Sequence, residues 1–339
     1  MTELHRTPRP HSEPSLIGSE ALSATAAGAV LGPWRDQLTA IALAFLASLG
    51  WGCADFLGGL RTRSLPLRAT VSGALMGGVL ASGIGVVLLG GGWPGAGFIL
   101  PAMLGGMASL VAFLTLYKAL AIGSMSIVAP ISATYPVVPV IYGLAQGERP
   151  AGIQIIGMAL IVAGVLLASY APGRREDEPV IVAAPDIAGV AGAPRASASA
   201  GIVNVPSILL AVVSALATGI TLASVSNAAE TSPYWGLIVM RSTGLAGILL
   251  FIAVSRRGVG APLAQLPGLL VIGALDTLAI GLFAVASTYG YLSVVAVVAS
   301  LFPLGTIALA RLTLGERILP RQNVGVGIAL TGVALIALS

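Results

Sequence analysis

Apolar runs, each about the length that a helix needs to cross the hydrocarbon core of a bilayer, dominate this sequence. We count ten, and they cover residues 38–60, 69–90, 97–117, 124–144, 151–170, 206–227, 234–254, 266–287, 292–313 and 320–338. Only 9% of the 339 residues are charged, whereas about a quarter of the residues of a soluble domain are charged. The sequence therefore predicts an all-α membrane protein with ten transmembrane helices, located in the cell membrane.

The side chains needed for metal, haem or disulfide chemistry are almost absent from the apolar runs. Cys53 is the only cysteine, and the only histidines, His5 and His11, precede the first run. Such sites need several of these ligands together, so we expect no metal and no cofactor. The 17 basic residues are scattered rather than clustered, which argues against a nucleic-acid partner. The sequence GxxxxGK[ST] is also missing, so ATP hydrolysis by a P-loop is excluded.

Polar stretches divide the chain into four parts. Residues 1–35, rich in proline, serine and charge, are predicted to be a disordered tail, and residues 36–170 hold the first five runs. Residues 171–205 contain a charged stretch followed by an alanine-, proline- and serine-rich passage, and are predicted to be a flexible linker. Residues 206–339 hold the other five runs.

The two halves repeat each other in sequence at an offset of 167 or 168 residues. The matched pairs are Ser126 and Ser293, Ala129 and Ala296, Pro136 and Pro303, Glu148 and Glu316, Gly157 and Gly325, and Gly164 and Gly332. Since each half has an odd number of spans, the second half must be inverted relative to the first. Two inverted five-helix repeats are the architecture expected of alternating access around a shared midplane site.

Three passages resemble a known family. LYKALAIGSMSIVAPISATYPV followed by GERP, and its counterpart YLSVVAVVASLFPLGTIALARLTLGERI, resemble the paired signature of EamA-type transporters of the drug/metabolite transporter superfamily. GWGCADFLGG resembles the start of that family's first helix. The resemblance implies a ten-helix bundle of two inverted repeats with a central substrate cavity. It also implies a secondary transporter of a small metabolite, an amino acid or a drug-like molecule, commonly an exporter.

Two ionisable side chains lie deep within predicted spans. Asp276 is ten residues into the eighth run, and Arg241 is seven residues into the seventh. Because the two runs point in opposite directions, their depths differ by only about 5 Å at the helical rise of about 1.5 Å per residue. A charge at such depth is costly and indicates a partner or a function. A structural ion pair, binding of a charged substrate and proton coupling at Asp276 all stay open.

Trp51 and Asp55 are four residues apart and so share one face of the first predicted helix. An aromatic ring and a carboxylate on one face are typical of a binding-cavity wall. The alternative for Asp55 is a charge pair at the membrane surface with Arg61 or Arg63, and Trp51 could equally pack at the interface.

Prolines interrupt corresponding helices of the two halves. Pro136 and Pro303 each leave the carbonyl four residues earlier without its helical partner, and helix breaks at matching positions indicate a binding site or gate. The polar residues near these breaks are expected to line the cavity: Ser132, Thr134, Tyr135 and Ser300. The alternative is that they hydrogen-bond their own helix backbones.

Glu148 and Glu316 follow the two signature helices at equivalent turns. We expect each to act as a loop cap or gate latch that holds helices together.

Orientation and coupling stay open. Counting basic residues in loops gives eleven on one side and four on the other, which favours external termini, whereas the family resemblance favours cytoplasmic ones.

The expected partners are the lipid bilayer and a small-molecule substrate, coupled to protons or to another solute gradient; the oligomeric state is open. A membrane scaffold or sensor is the alternative function, followed by a membrane-embedded enzyme.

Overall fold

The computed structural model describes residues 16–62, 65–122, 128, 131–169, 205–256, 258, 260, 263–314 and 320–339. Within these residues there are no strands, and the named helices are α1 Leu16–Thr62, α2 Leu67–Leu89, α3 Ile99–Ile122, α4 Val137–Ala145, α5 Gly152–Ser169, α6 Val205–Thr231, α7 Pro233–Ser255, α8 Leu266–Tyr289, α9 Leu292–Ala299, α10 Phe302–Leu314 and α11 Pro320–Ala337, with a 3₁₀ turn at Leu263–Gln265. The all-helical class is confirmed for this part of the chain.

Six helices in the described residues are long and apolar enough to cross a membrane: Arg35–Gly58, Leu67–Leu89, Ile99–Leu116, Val205–Thr231, Pro233–Ser255 and Leu266–Tyr289. Three shorter apolar helices accompany them: Gly152–Ala168, Leu292–Gly305 and Gln322–Ala337. Their outer faces carry exposed apolar side chains such as Val87, Val254 and Leu312, as expected of surfaces that contact lipid rather than water. The count of ten spans stays a prediction.

Helix α1 begins at Leu16, inside the segment for which we expected a disordered tail. The sequence SATAAGAV in this region is rich in alanine, the residue with the highest helix propensity. Residues 1–15 lie outside the described residues, and the disordered tail stays a prediction. The predicted linker, apart from Val205, also lies outside them.

Helix breaks occur at both predicted prolines. A turn over residues 133–136 precedes α4, and Pro136 is the capping residue directly before its first residue, Val137. In the second half, Ser300 and Leu301 separate α9 from α10, and Pro303 lies in the first turn of α10. Proline fits the first turn of a helix because an amide there has no helical acceptor. Each proline therefore starts a new helical segment instead of bending a continuous one.

Helices of the two halves are interleaved. The most extensive contacts join α5 to α11, α3 to α6 and α1 to α8, each pair drawing one helix from each half. Helix α2 packs on α8 and α7 in the same way. The first and second halves are thus not separate bundles; they share one core, and any space between these pairs is bounded by both halves.

Four glycines form the contact between α5 and α11, which we call the glycine seam. A Cβ at Gly157 would lie 2.8 Å from the Gly332 carbonyl oxygen, and a Cβ at Gly164 would lie 2.5 Å from that of Gly325. The numbering runs in opposite directions, so the two helices are antiparallel. Gly157 matches Gly325 in the repeat, and Gly164 matches Gly332, so equivalent residues exchange partners, as they do across a two-fold axis.

Candidate functional site

A cavity of about 700 Å³, including its opening, lies between helices of both halves. Its wall comes from α1, α3, α6, α8, α10 and the turn before α4, and the lining residues are Trp51, Asp55, Ser109, Ala112, Phe113, Leu116, Ser132, Tyr135, Ser214, Thr218, Thr221, Leu222, Asp276, Ile280 and Phe302. The predicted residues Trp51, Asp55, Ser132, Tyr135 and Asp276 are among them.

Aromatic side chains give the cavity two apolar walls. The Trp51 ring lies 5.9 Å from that of Phe283, and the Tyr135 ring lies 6.0 Å from that of Phe302, measured between centroids. Rings at such distances support each other through edge and offset contacts. The walls are therefore held in place before a ligand arrives.

Two buried hydroxyl groups of the cavity wall have no hydrogen-bond partner within the described residues. They are the Ser132 Oγ and the Tyr135 hydroxyl. A buried polar group without a partner costs free energy, and both belong to residues that line the cavity. They are accordingly the groups that a polar ligand could satisfy.

The two deep charges form an ion pair between adjacent helices. A terminal nitrogen of Arg241 on α7 donates to Asp276 on α8, and only 2% of the Arg241 side chain is exposed against 15% for Asp276. The structural ion pair, one of the three interpretations that the sequence leaves open, is thus present. Arg241 lies in a second, smaller space beside the cavity, and Asp276 borders both spaces.

Asp55 borders both spaces as well, and its side chain is exposed to them. No ion pair or hydrogen bond to Asp55 occurs among the described residues. Arg61, the basic residue considered as its partner, instead donates to Gln265 before α8, while Arg63 lies outside the described residues. Asp55 is therefore a carboxylate available to a ligand.

Thr134 and Ser300 do not line the cavity. The Thr134 hydroxyl donates to the Ile131 carbonyl oxygen at 2.7 Å, and the Ser300 hydroxyl donates to that of Val297, also at 2.7 Å. Both satisfy their own backbone, which was the alternative interpretation. A role of Thr134 and Ser300 at the cavity therefore stays a prediction.

Glu148 joins the two halves at the start of α9. Its carboxylate accepts the Leu292 amide at 2.5 Å and the Ser293 amide at 3.1 Å. Tyr291, the residue at the start of α9, supplies no side-chain hydrogen bond, so these amides would otherwise lack acceptors. The carboxylate therefore caps α9, whereas its repeat counterpart Glu316 lies outside the described residues.

Hydroxyl groups of α3 and α6 were not among the predicted site residues. Ser214, Thr218 and Thr221 line the cavity from α6, and Ser109 lines it from α3. The spacing of four and then three residues on α6 places these side chains on one helix face. This spacing in the sequence could have identified the α6 hydroxyl groups as candidates for the cavity wall.

Comparison with known proteins identifies the family. A model of the EamA-like transporter family matches residues 38–170 and 205–338. Seventeen chains of known structure match; one of them, described as "Crystal structure of protein", is 14% identical, has a TM-score of 0.67, and the match covers 89% of this chain and 98% of that chain. At this identity the likeness shows the fold alone. A search among curated proteins found no match. Because the family model covers most of both halves, the chain belongs to the EamA-like transporter family.

Proposed function

We propose that the protein is a secondary transporter that exports a small amphipathic molecule by alternating access. The observation that carries the proposal is the cavity between the two halves, in which aromatic walls adjoin unpartnered polar groups. An integral membrane protein of a transporter family with such a cavity can bind and move its substrate without changing it chemically, so it needs no catalytic residues. The substrate we expect has an apolar or aromatic body and at least one hydrogen-bonding group.

Alternating access is supported by the relation between the halves. The exchange of partners in the glycine seam and the helix breaks before α4 and α10 are features that two inverted repeats would share. In this mechanism the helices of the two repeats rock about the cavity and open it to one side at a time. Pro136 and Pro303 would act as gating positions at which short helices reorient, and Glu148 and Glu316 as the matching latches.

The test is a screen for binding followed by measurement of flux. The purified protein is heated with amino acids, sugars, nucleosides and cationic drugs, and any compound that binds the folded state raises its melting temperature. Compounds that bind are then loaded, as radiolabelled forms, into liposomes that contain the protein. We expect at least one compound to be moved faster than in liposomes without protein.

Matched tyrosine variants assign the movement to the cavity. Tyr135→Phe removes a hydroxyl of the cavity wall, whereas Tyr289→Phe removes one at the exposed end of α8. Binding should weaken about tenfold in the first variant, by the loss of one buried hydrogen bond, and stay unchanged in the second. Binding without flux for every compound would favour a sensor and contradict the proposal.

A further inference from the structure

A hydrogen bond between side chains of α4 and α6 joins the two halves beside the cavity. The Asn227 side-chain amide on α6 donates to the Tyr142 hydroxyl on α4 at 2.7 Å. The side-chain amide of Gln146, the residue directly after α4, donates to the same hydroxyl at 3.4 Å. Neither Tyr142 nor Asn227 is among the residues that line the cavity, and the transport proposal gives them no role. We call these three side chains the clasp.

Close packing holds α4 against α6 next to the clasp. A Cβ on Gly219 of α6 would lie 2.5 Å from the Val138 Cβ and 2.7 Å from the Tyr135 carbonyl oxygen. Later residues of α4 meet later residues of α6, since Tyr142 meets Asn227, so the two helices run in the same direction. The clasp therefore lies toward the end of the molecule at which α4 and α6 both finish, which we call the far end.

The clasp lies between the cavity and the far end. The last cavity residue on α6 is Leu222, five residues before Asn227, and the last one before α4 is Tyr135, seven residues before Tyr142. At the helical rise of about 1.5 Å per residue, the clasp is roughly 7–11 Å beyond the cavity wall. Because α6 and the turn before α4 both belong to that wall, separating α4 from α6 would open the cavity toward the far end.

The sequence repeat does not supply a second clasp at the equivalent position. Tyr142 corresponds to Leu309 at an offset of 167 residues and to Ala310 at an offset of 168. Neither side chain has a hydrogen-bonding group. The second half therefore cannot form the same bond from the matching helix, and the two ends of the molecule are held together differently.

We propose that the clasp is a gate at the far end: the hydrogen bond between Tyr142 and Asn227 keeps the cavity closed there, and its loss lets α4 separate from α6. Pro136, the capping residue before α4, supplies the point at which α4 reorients. One such bond is worth a factor of about two to ten in an equilibrium, which biases two states without preventing their exchange. The role as a gate rests on the proposed transport function, whereas control of the separation of α4 from α6 does not.

Distances between spin labels at the far end test the proposal without any substrate. Labels are attached to Ala145→Cys at the end of α4 and Glu230→Cys near the end of α6, both exposed positions. Cys53→Ser removes the only other cysteine. Double electron–electron resonance on the purified protein then gives the distance distribution, and with the clasp intact we expect one main, short distance.

Variants of the clasp should add a population with longer distances. Tyr142→Phe removes the hydroxyl but keeps the ring, which packs against the core, and should raise the ratio of long to short distances about two- to tenfold. Asn227→Leu removes the other partner and should give the same change. The double variant should go no further than either single variant, because both remove one bond.

Tyr289→Phe is the matched control. It makes the same chemical change at an exposed tyrosine, 46% accessible, at the end of α8, and should leave the distances as in the unmodified protein. Melting temperatures check that each variant is folded. If Asn227→Leu does not fold, the comparison of Tyr142→Phe with Tyr289→Phe carries the test.

The proposal is overturned if Tyr142→Phe leaves the distances unchanged, because packing at Gly219 and the Glu148 carboxylate would then hold α4 without the clasp. Changes that add in the double variant would also overturn it, since the two residues would then act separately. Unchanged distances together with measurable flux would overturn the gate and leave transport intact. Longer distances with no flux of any compound would support control of α4 by the clasp and contradict transport.

Discussion

At the scale of single residues, the buried guanidinium of Arg241 depends on the absence of a side chain at Gly78. A Cβ on Gly78 would lie 2.7 Å from the Thr277 hydroxyl oxygen, 3.0 Å from Arg241 Cδ and 3.2 Å from Arg241 Nε. These distances are shorter than normal van der Waals contacts. The absence of a side chain at Gly78 therefore leaves the space between α2 and α7 through which the Arg241 side chain extends to Asp276.

Substituting two glycines of α2 compares a crowded position with an open one. We expect Gly78→Ala to lower the free energy of unfolding by about 1–3 kcal/mol, the usual cost of overpacking a closely packed site. Gly85→Ala should be neutral or stabilising, because its Cβ would have no neighbour within 4 Å and alanine favours helix. Thermal unfolding in detergent measures both; equal melting temperatures for the two variants would contradict this account.

The contrast between Arg241 and Thr134 shows which residue-scale features could be predicted from sequence. Opposite charges deep in consecutive apolar runs have few ways to be satisfied, so helix depth gave an ion pair with Asp276 as one of three interpretations, and the structure contains that pair. A hydroxyl can instead donate to a backbone carbonyl of its own helix and so be buried with its hydrogen bond satisfied, as those of Thr134 and Ser300 do. Nothing in their spacing decides between the backbone and the cavity.

At the scale of helices, α9 depends on a residue from the other half of the chain. Glu148 accepts its first amides, and Gly143 leaves room for that carboxylate, since a Cβ there would collide with it. The negative charge also lies at the positive end of the α9 dipole. Both effects fix the start of α9 next to the turn that follows α4.

Removing the Glu148 carboxylate should loosen the first turn of α9. We expect Glu148→Ala to cost about 0.5–2 kcal/mol, as the loss of a helix cap does. Hydrogen exchange at the Leu292 and Ser293 amides should accelerate. Glu230→Ala, at an exposed glutamate near the end of α6, is the control and should leave exchange at these amides unchanged. Unchanged exchange in Glu148→Ala as well would argue against the cap.

Both helix breaks could be predicted from the sequence, but the contact of Glu148 with the start of α9 could not. Proline has a local effect on backbone hydrogen bonding, so Pro136 and Pro303 mark where α4 and α10 begin regardless of their surroundings. The amide partners of Glu148 are 144 and 145 residues away. Only the packing of the two halves brings them together, and no local pattern encodes that distance.

At the scale of the whole molecule, the glycine seam sets how closely the halves approach. Across α5 and α11, the carbonyl oxygen of each seam glycine lies where a methyl group on the opposite glycine would be, so a methyl group has no space there. Small residues permit such close helix packing in membranes, where apolar burial alone does not drive association. The seam is thus a rigid contact between equivalent positions of the two repeats.

A methyl group in the seam should separate the halves. Gly164→Ala would place a Cβ 2.5 Å from the Gly325 carbonyl oxygen and from the Ala329 amide nitrogen, and backbone atoms cannot move aside as side chains do. We expect a loss of about 1–3 kcal/mol in stability, read from thermal unfolding. Gly327→Ala on the same pair of helices has no neighbour within 4 Å and should behave like the unmodified protein; a loss of similar size there would contradict the role of the seam.

Interleaving of the halves has a consequence for the nascent chain. Helices α1, α3 and α5 leave the ribosome before α8, α6 and α11, the helices on which they pack most extensively, have been synthesised. Insertion and assembly are therefore separate events for this chain. During synthesis the helices of the first half are in the membrane before their packing partners exist, so their glycine faces contact lipid. The native core forms only after α11 has been inserted.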